Sequence, residues 1–178
     1  AYVRKANRKK ATVPQWQGGK MPLSSELAHA SLQMLELAHQ AISSGKKTAL
    51  PELQALESLL ALQMRWSALP NTGNLLIEAL HSKEGHHLFV YPFEGRTVHI
   101  GLASLLAWRA SRHKPGTFSI AMNDYGFELL SAEPVNWHEW IAGSLAQAPL
   151  FSTENLFEDV LACLNASELA QRRFREIA

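Results

Sequence analysis

LLIEALHSKEGHHLFVYPFEGRTVHIGLASLLAWR, residues 75–109, is the stretch whose reading decides the fold. Asn74–Ser82 (NLLIEALHS) and His86–Phe93 (HHLFVYPF) are short, apolar and aromatic, and they flank Lys83-Glu84-Gly85, which predicts a β-hairpin. From Thr97 to His113 the period changes. Val98, Leu102, Leu105, Leu106 and Arg109 recur at helical spacing, and Lys114-Pro115-Gly116 ends the run. A second hairpin is expected downstream, TFSIAMN (117–123) and FELLSA (127–132) around Asp124-Tyr125-Gly126.

Upstream of this stretch the signals are helical. Ser24 is a good N-cap with Glu26 in the favourable first turn, and Leu27, Ser31, Met34, Leu35, Ala38 and Ile42 define one face up to Gly45. Pro51 suits the first turn of a second helix with a stripe of Leu53, Leu56, Leu60 and Met64, closed by Pro70 and Gly73. Downstream, helices are expected over Asn136–Gln147, from Ser152 to about Leu164, and from an Asn165/Glu168 capping box onward. The sum is an α+β fold: an antiparallel sheet of four or more strands, with hairpins near 74–93 and 117–132 and about six helices packed on it. Hairpin-length connections argue against a doubly wound parallel sheet.

The 178 residues suit one ordinary domain, and 47% hydrophobic with 19% charged residues is the composition of a folded, water-soluble chain. No apolar run reaches the roughly 18–20 residues of a membrane span, and no signal-peptide pattern opens the chain. The single cysteine, Cys163, sits in LFEDVLACL as a small buried hydrophobe and fits a reducing cytoplasm. Net charge is only +1, yet residues 1–20 carry Arg4, Lys5, Arg8, Lys9, Lys10 and Lys20 with no acid, and the end carries Arg172, Arg173 and Arg175. Two basic ends facing a polyanion, or solvated tails, both fit that asymmetry. The expected organisation is a basic strand or arm (1–20), an α+β core (21–150) and C-terminal helices (151–178) that continue into a missing segment of a longer protein.

The search for catalytic signatures returns near misses. Gly19-Lys20 has Pro14 where a phosphate loop needs its first glycine and Met21 where it needs a hydroxyl. Gly45-Lys46-Lys47-Thr48 has Gln40 at the leading position and follows a helix. His138-Glu139 opens like a zinc-protease helix, but Ala142 replaces the second histidine. His86 and His87 are adjacent on a strand and point to opposite faces. No GxSxG elbow is present, although members of a hydrolase triad need not be close in sequence. Neither a catalytic nor a metal site is expected.

A binding pattern remains. Trp16 follows the basic run, precedes Gly18-Gly19 and lies outside any amphipathic element. An exposed indole beside lysines can stack an unpaired base while the lysines hold its phosphates; alternatively it packs on the first helix. Trp66, Trp108, Trp137 and Trp140 lie in or beside helices and are expected in the core or an interface, with Trp66 the next candidate for stacking.

Four strings resemble one family along nearly the whole chain: PQWQGGKMPLSSELA (14–28), the opening stretch (75–109), SIAMNDYGFELLS (119–131) and ENLFEDVLACLNASELAQRRFREIA (154–178). They resemble the DEAD/H-associated domain that follows the motor domains of large helicase-related (Lhr-type) DEXH-box, ligase-associated DNA helicases. The resemblance implies an accessory module of an ATP-dependent 3′-to-5′ helicase and translocase in DNA repair, without an ATP site of its own. ATP and Mg would belong to RecA-like motors elsewhere in the parent, which also carries a winged-helix domain. It implies contact with single-stranded DNA or a DNA/RNA hybrid, and a stacking tryptophan; Trp16 is the position chosen here. The expected interface is Trp16, Lys20, Arg8, Lys9, Lys10, Arg172 and Arg173. A DNA ligase or a repair nuclease is a further expected partner. The runner-up is a protein-docking or dimerisation module with no nucleic-acid contact.

Overall fold

The computed structural model describes residues 23–141 and 150–166. Helix α1 (Ser25–Ser44) begins where Ser24, in extended backbone, accepts the Leu27 N–H on its Oγ. It ends at Gly45, whose φ of 65° lets its N–H reach Ile42 O while Lys46 N–H reaches Ala41 O. Helix α2 (Pro51–Trp66) starts at the proline, where the missing N–H has no helical partner to lose.

Two hairpins then frame one long helix. Strands β1 (Leu76–His81) and β2 (His86–Tyr91) pair antiparallel, from Leu76 opposite Tyr91 to His81 opposite His86. Helix α3 (Arg96–His113) follows, then β3 (Phe118–Met122) and β4 (Phe127–Ser131). β4 pairs antiparallel with both β2 and β3, giving the order β1-β2-β4-β3 with β1 and β3 as edges. Both hairpin tips are tight. A Cβ on Gly85 would meet Ser131 O at 2.2 Å, and one on Gly126 would meet Val90 O at 2.5 Å, so each tip needs a residue without a side chain. Helix α4 (Trp137–Ile141) and helix α5 (Leu156–Ala166) complete the described elements.

Side chains alternate across a strand, so β2 and β4 each offer one face to α3. Leu88, Val90, Phe127 and Leu129 meet Ala103, Leu106 and Ala110 there, closed by Val135, Trp137 and Leu150. Burying each large aliphatic side chain in this layer contributes about 1.5–3 kcal/mol. A smaller cluster of Ala38, Leu53, Leu60 and Leu69 joins α1, α2 and the following loop.

The architecture is the α+β fold read from the sequence, with four antiparallel strands and five helices among the described residues. Several details differ. Leu27 and Leu56, expected inside, are exposed, and Ala28 takes the buried place on α1. On α3 Val98 is exposed and the next residue, His99, is fully buried. Ser152 does not cap a helix; its Oγ accepts the Glu154 N–H in the turn ahead of α5. Asn165 opens no new helix, because α5 runs through it. Cys163 is buried, as expected, and burial pushes its thiol pKa up.

Candidate nucleic-acid interface

The turn after β2 and the tip of the β3–β4 hairpin, PFEGR (92–96) and NDYG (123–126), meet in space. Phe93, at φ 57°, donates its N–H to Tyr125 O at 3.1 Å, and the two rings lie 5.6 Å apart. His99 bridges both turns. Its Nε2 accepts the Glu94 N–H at 3.1 Å, so Nδ1 carries the proton and donates to Asn123 O at 2.7 Å. Arg96 Nη2 donates to Asp124 Oδ2 at 3.2 Å, while Asp124 Oδ1 accepts the Leu23 N–H, also at 3.2 Å. The backbone just ahead of α1 is thereby fixed at this junction. On its exposed side, His29 Nε2 and Glu94 Oε1 are 3.0 Å apart.

A second polar anchor lies at the other end of α3. Arg109 is 5% exposed. Its Nε donates to Asp159 Oδ2 at 2.8 Å, and its Nη1 donates to Leu150 O at 2.9 Å and to Ser152 O at 2.7 Å. That guanidinium holds α5 and the loop before it against α3. A third runs through the sheet: Ser82 donates to His87 Nε2 at 2.6 Å, and His87 Nδ1 donates to Glu128 at 2.5 Å. The order serine–histidine–carboxylate is that of a hydrolase triad. Ser82 Oγ, however, also accepts the Glu84 N–H inside its own turn, and the relay ties the β1–β2 turn to β2 and β4. It acts as a register lock. His86 lies on the opposite face with its ring 4.5 Å from His81. Among the described residues no three His, Cys, Asp or Glu side chains converge on a metal position.

Among the described residues, a tryptophan that reaches solvent lies beside a cationic group at two places, one exposed and one half-buried. Trp66 is 78% exposed, beside the exposed Arg65 at the end of α2, which corrects its expected place in a core or interface. The reason is geometric: at about 100° per residue, Trp66 lies roughly 120° from the stripe of Leu53 and Leu60. That offset was available in the sequence. The second place is the outer side of α3, where the Arg112 guanidinium lies 4.9 Å from the centre of the Trp108 ring. Next to it His113 lies 5.8 Å from Trp140. Trp137 is core, and Trp140 meets it edge-on.

The residues chosen from the sequence, Trp16, Lys20, Arg8, Lys9, Lys10, Arg172 and Arg173, all lie outside the described residues, as does the Gly19-Lys20 string. In Gly45-Lys46-Lys47-Thr48, the Gly45 and Lys46 N–H groups are spent on α1 carbonyls. No helix among the described residues is long and apolar enough to cross a membrane.

Comparison with known proteins places this geometry. The model of the DEAD/H associated family matches residues 69–178, which begin just after α2. The chain is 27% identical over 99% of its length to ATP-dependent helicase Lhr-Core protein 2 of Thermococcus barophilus. It is 25% identical over 99% of its length to ATP-dependent helicase Lhr-Core of Methanocaldococcus jannaschii. It spans about a fifth of those relatives, 21% of each. Among solved structures, the helicase Lhr of Mycobacterium smegmatis, bound to single-stranded DNA and AMP-PNP, shares the fold with a TM-score of 0.63 at 22% identity; the match covers 94% of this chain and 22% of that one. With more than half of its residues under the family's model, the chain belongs to the DEAD/H associated family.

Proposed function

We propose that this chain is the accessory, nucleic-acid-engaging module of an ATP-dependent 3′-to-5′ DNA helicase acting in DNA repair, and that it grips the tracking single strand without hydrolysing ATP itself. The observation that carries this reading is the likeness, over 99% of the chain, to two proteins named ATP-dependent helicases. RecA-like motors and a winged-helix domain elsewhere in the same polypeptide would supply ATP and Mg chemistry. The organisation proposed is a basic arm (1–20), the α+β core (21–150) and C-terminal helices (151–178).

The physical role is retention. Closure of the motors moves the strand, and stacking here keeps it from slipping back. Each stacked base contributes roughly 1–3 kcal/mol whatever its identity. Trp16 is the first candidate for that stack, with Lys20, Arg8, Lys9, Lys10, Arg172 and Arg173 holding phosphates in a salt-dependent, sequence-independent way. Trp66, exposed beside Arg65, is the alternative platform.

The test is made in the full-length helicase. Trp16→Ala should keep most DNA-stimulated ATPase and lose most strand displacement, because hydrolysis needs only the motor-bound strand. Unwinding at the wild-type rate removes Trp16 from the assignment, and Trp66→Ala then becomes the deciding variant. ATP turnover by the isolated chain, lost on Lys20→Ala or Lys46→Ala, would overturn the accessory role altogether.

A further inference from the structure

The face of the sheet opposite α3 is half covered. Helices α1 and α2 lean over its end and leave an open groove of about 780 Å³, lined mainly by Met34, Leu53, Leu56, Leu60, Tyr91 and Tyr125. That volume is in the range of specific binding sites, roughly 300–1,000 Å³. A second, smaller hollow of about 270 Å³ shares Tyr91 and Asn123 with it and continues over Phe89 to Glu128. Among the described residues the charges along both hollows have one sign: Glu52 and Glu78 line the first and Glu128 the second, and no described lysine, arginine or histidine lines either. Burial first, then the neighbouring Glu78 and Glu128, push the Tyr91 hydroxyl up to about 12.

Such a groove repels a phosphate backbone and is not a path for the DNA strand. It suits an apolar polypeptide face flanked by lysine or arginine, whose charges would meet Glu52 and Glu78 as the apolar side chains enter between α1 and α2. Additional apolar surface is presented nearby: on α1 Leu37 is exposed, and on α2 Leu56 and Leu59.

We propose that this groove docks a basic, apolar polypeptide segment from outside these 178 residues, belonging to the rest of the helicase. The inference rests on the reading of the chain as one module of a larger helicase; the curated relatives, of which it spans 21%, contain the additional polypeptide. The groove is then an interface within the parent protein, and its lining does not include Trp66.

The experiment places p-benzoylphenylalanine at Leu56, which is 45% exposed and lines the groove, in the full-length helicase. After irradiation, mass spectrometry identifies what is attached. The expected product is a crosslink to a segment of the same polypeptide outside residues 1–178, with lysine or arginine within one helical turn of the attached residue. Glu52→Lys, on an exposed residue, should lower the crosslink yield about tenfold with undiminished single-strand affinity; Glu52→Gln, which removes the charge without placing a cation in the first turn of α2, should lower the yield in the same direction and leave melting nearly unchanged. A crosslink to DNA, to residues 1–22 of this chain, or to nothing overturns the proposal, as does a yield indifferent to Glu52→Lys. A parent without DNA-stimulated ATPase would sink the helicase reading while leaving the crosslink result intact.

Discussion

The sheet with α3 and the hairpin of α1 and α2 bury apolar surface by different means. In the first, a continuous apolar layer is pinned at its corners by buried polar groups, with His99 at one end of α3 and Arg109 at the other. In the second, four buried small or aliphatic residues form the centre of the contact, with Leu35, Ile42, Leu50 and Met64 half-buried around them, and Leu37, Leu59 and Trp66 stay outside. The family's match begins at residue 69, so it takes in the first region and omits α1 and α2. Apolar burial alone lets two helices settle in several neighbouring arrangements, whereas a buried donor with fixed acceptors penalises every arrangement but one. The sheet body is therefore the rigid frame, and the helical hairpin is the surface it presents.

The strongest way to break this comparison is Arg109→Ala. It leaves two carbonyls without their donor beside a buried cavity and Asp159 with only its 3.8 Å pairing to Arg112, and should lower unfolding free energy by about 3–5 kcal/mol in denaturant titration. A loss smaller than that of Leu53→Ala in the hairpin would reverse the ranking of the two regions. Next comes Leu129→Ala, in the fully buried layer, expected to cost about 2–5 kcal/mol, against less than about 0.5 kcal/mol for Leu59→Ala on the open side of α2. Equal losses at these two leucines would mean that α2 is covered in solution. Arg96→Ala should cost about 1 kcal/mol or less, since the half-buried Arg96 meets Asp124 through a single 3.2 Å contact and the substitution also removes a buried Nε that has no hydrogen-bond partner. It should leave DNA affinity alone; unchanged melting with weakened binding would move Arg96 from the frame to the interface.

How much of this was legible in the sequence divides along the same line. The ends of α1, the proline start of α2 and both hairpins were readable, because caps, turn residues and period are local signals. The polar anchors were not. Arg109 finds its partners forty-one to fifty residues away, and His99 reaches Asn123 from twenty-four residues away. Val98 therefore looked like the buried residue when its neighbour His99 was. The helical hairpin misled for the opposite reason. Its leucines carry a periodic signal on more than one side, so the period alone puts Leu56 inside, whereas the structure leaves it 45% exposed. The interface expected from the sequence lies wholly outside the described residues.

The smallest expected effect concerns Tyr91. Its folded hydroxyl titrates near 12, above the ordinary value of 10.0, so the folded state holds a proton that the unfolded chain releases earlier. Stability is consequently full below about pH 10 and declines as pH rises toward 12. Ultraviolet titration should show a late phenolate step that Tyr91→Phe removes. A step lost near 10 instead would mean that the groove is open and well hydrated there.

The packed hairpin tips have a practical corollary for anyone inserting sequence into this protein. Surface turns are ordinarily where tags, labels or whole domains are tolerated. At Gly85 and Gly126 they are not, because even one methyl group would run into the backbone of a neighbouring strand. The loop after α1 differs: an added atom at Gly45 meets nothing within 4 Å, and Lys46 and Lys47 are exposed. A reporter spliced between Lys46 and Lys47 leaves the sheet untouched and stands at the far end of the hairpin from Trp66, making Lys46–Lys47 the preferred place to watch this module inside its parent.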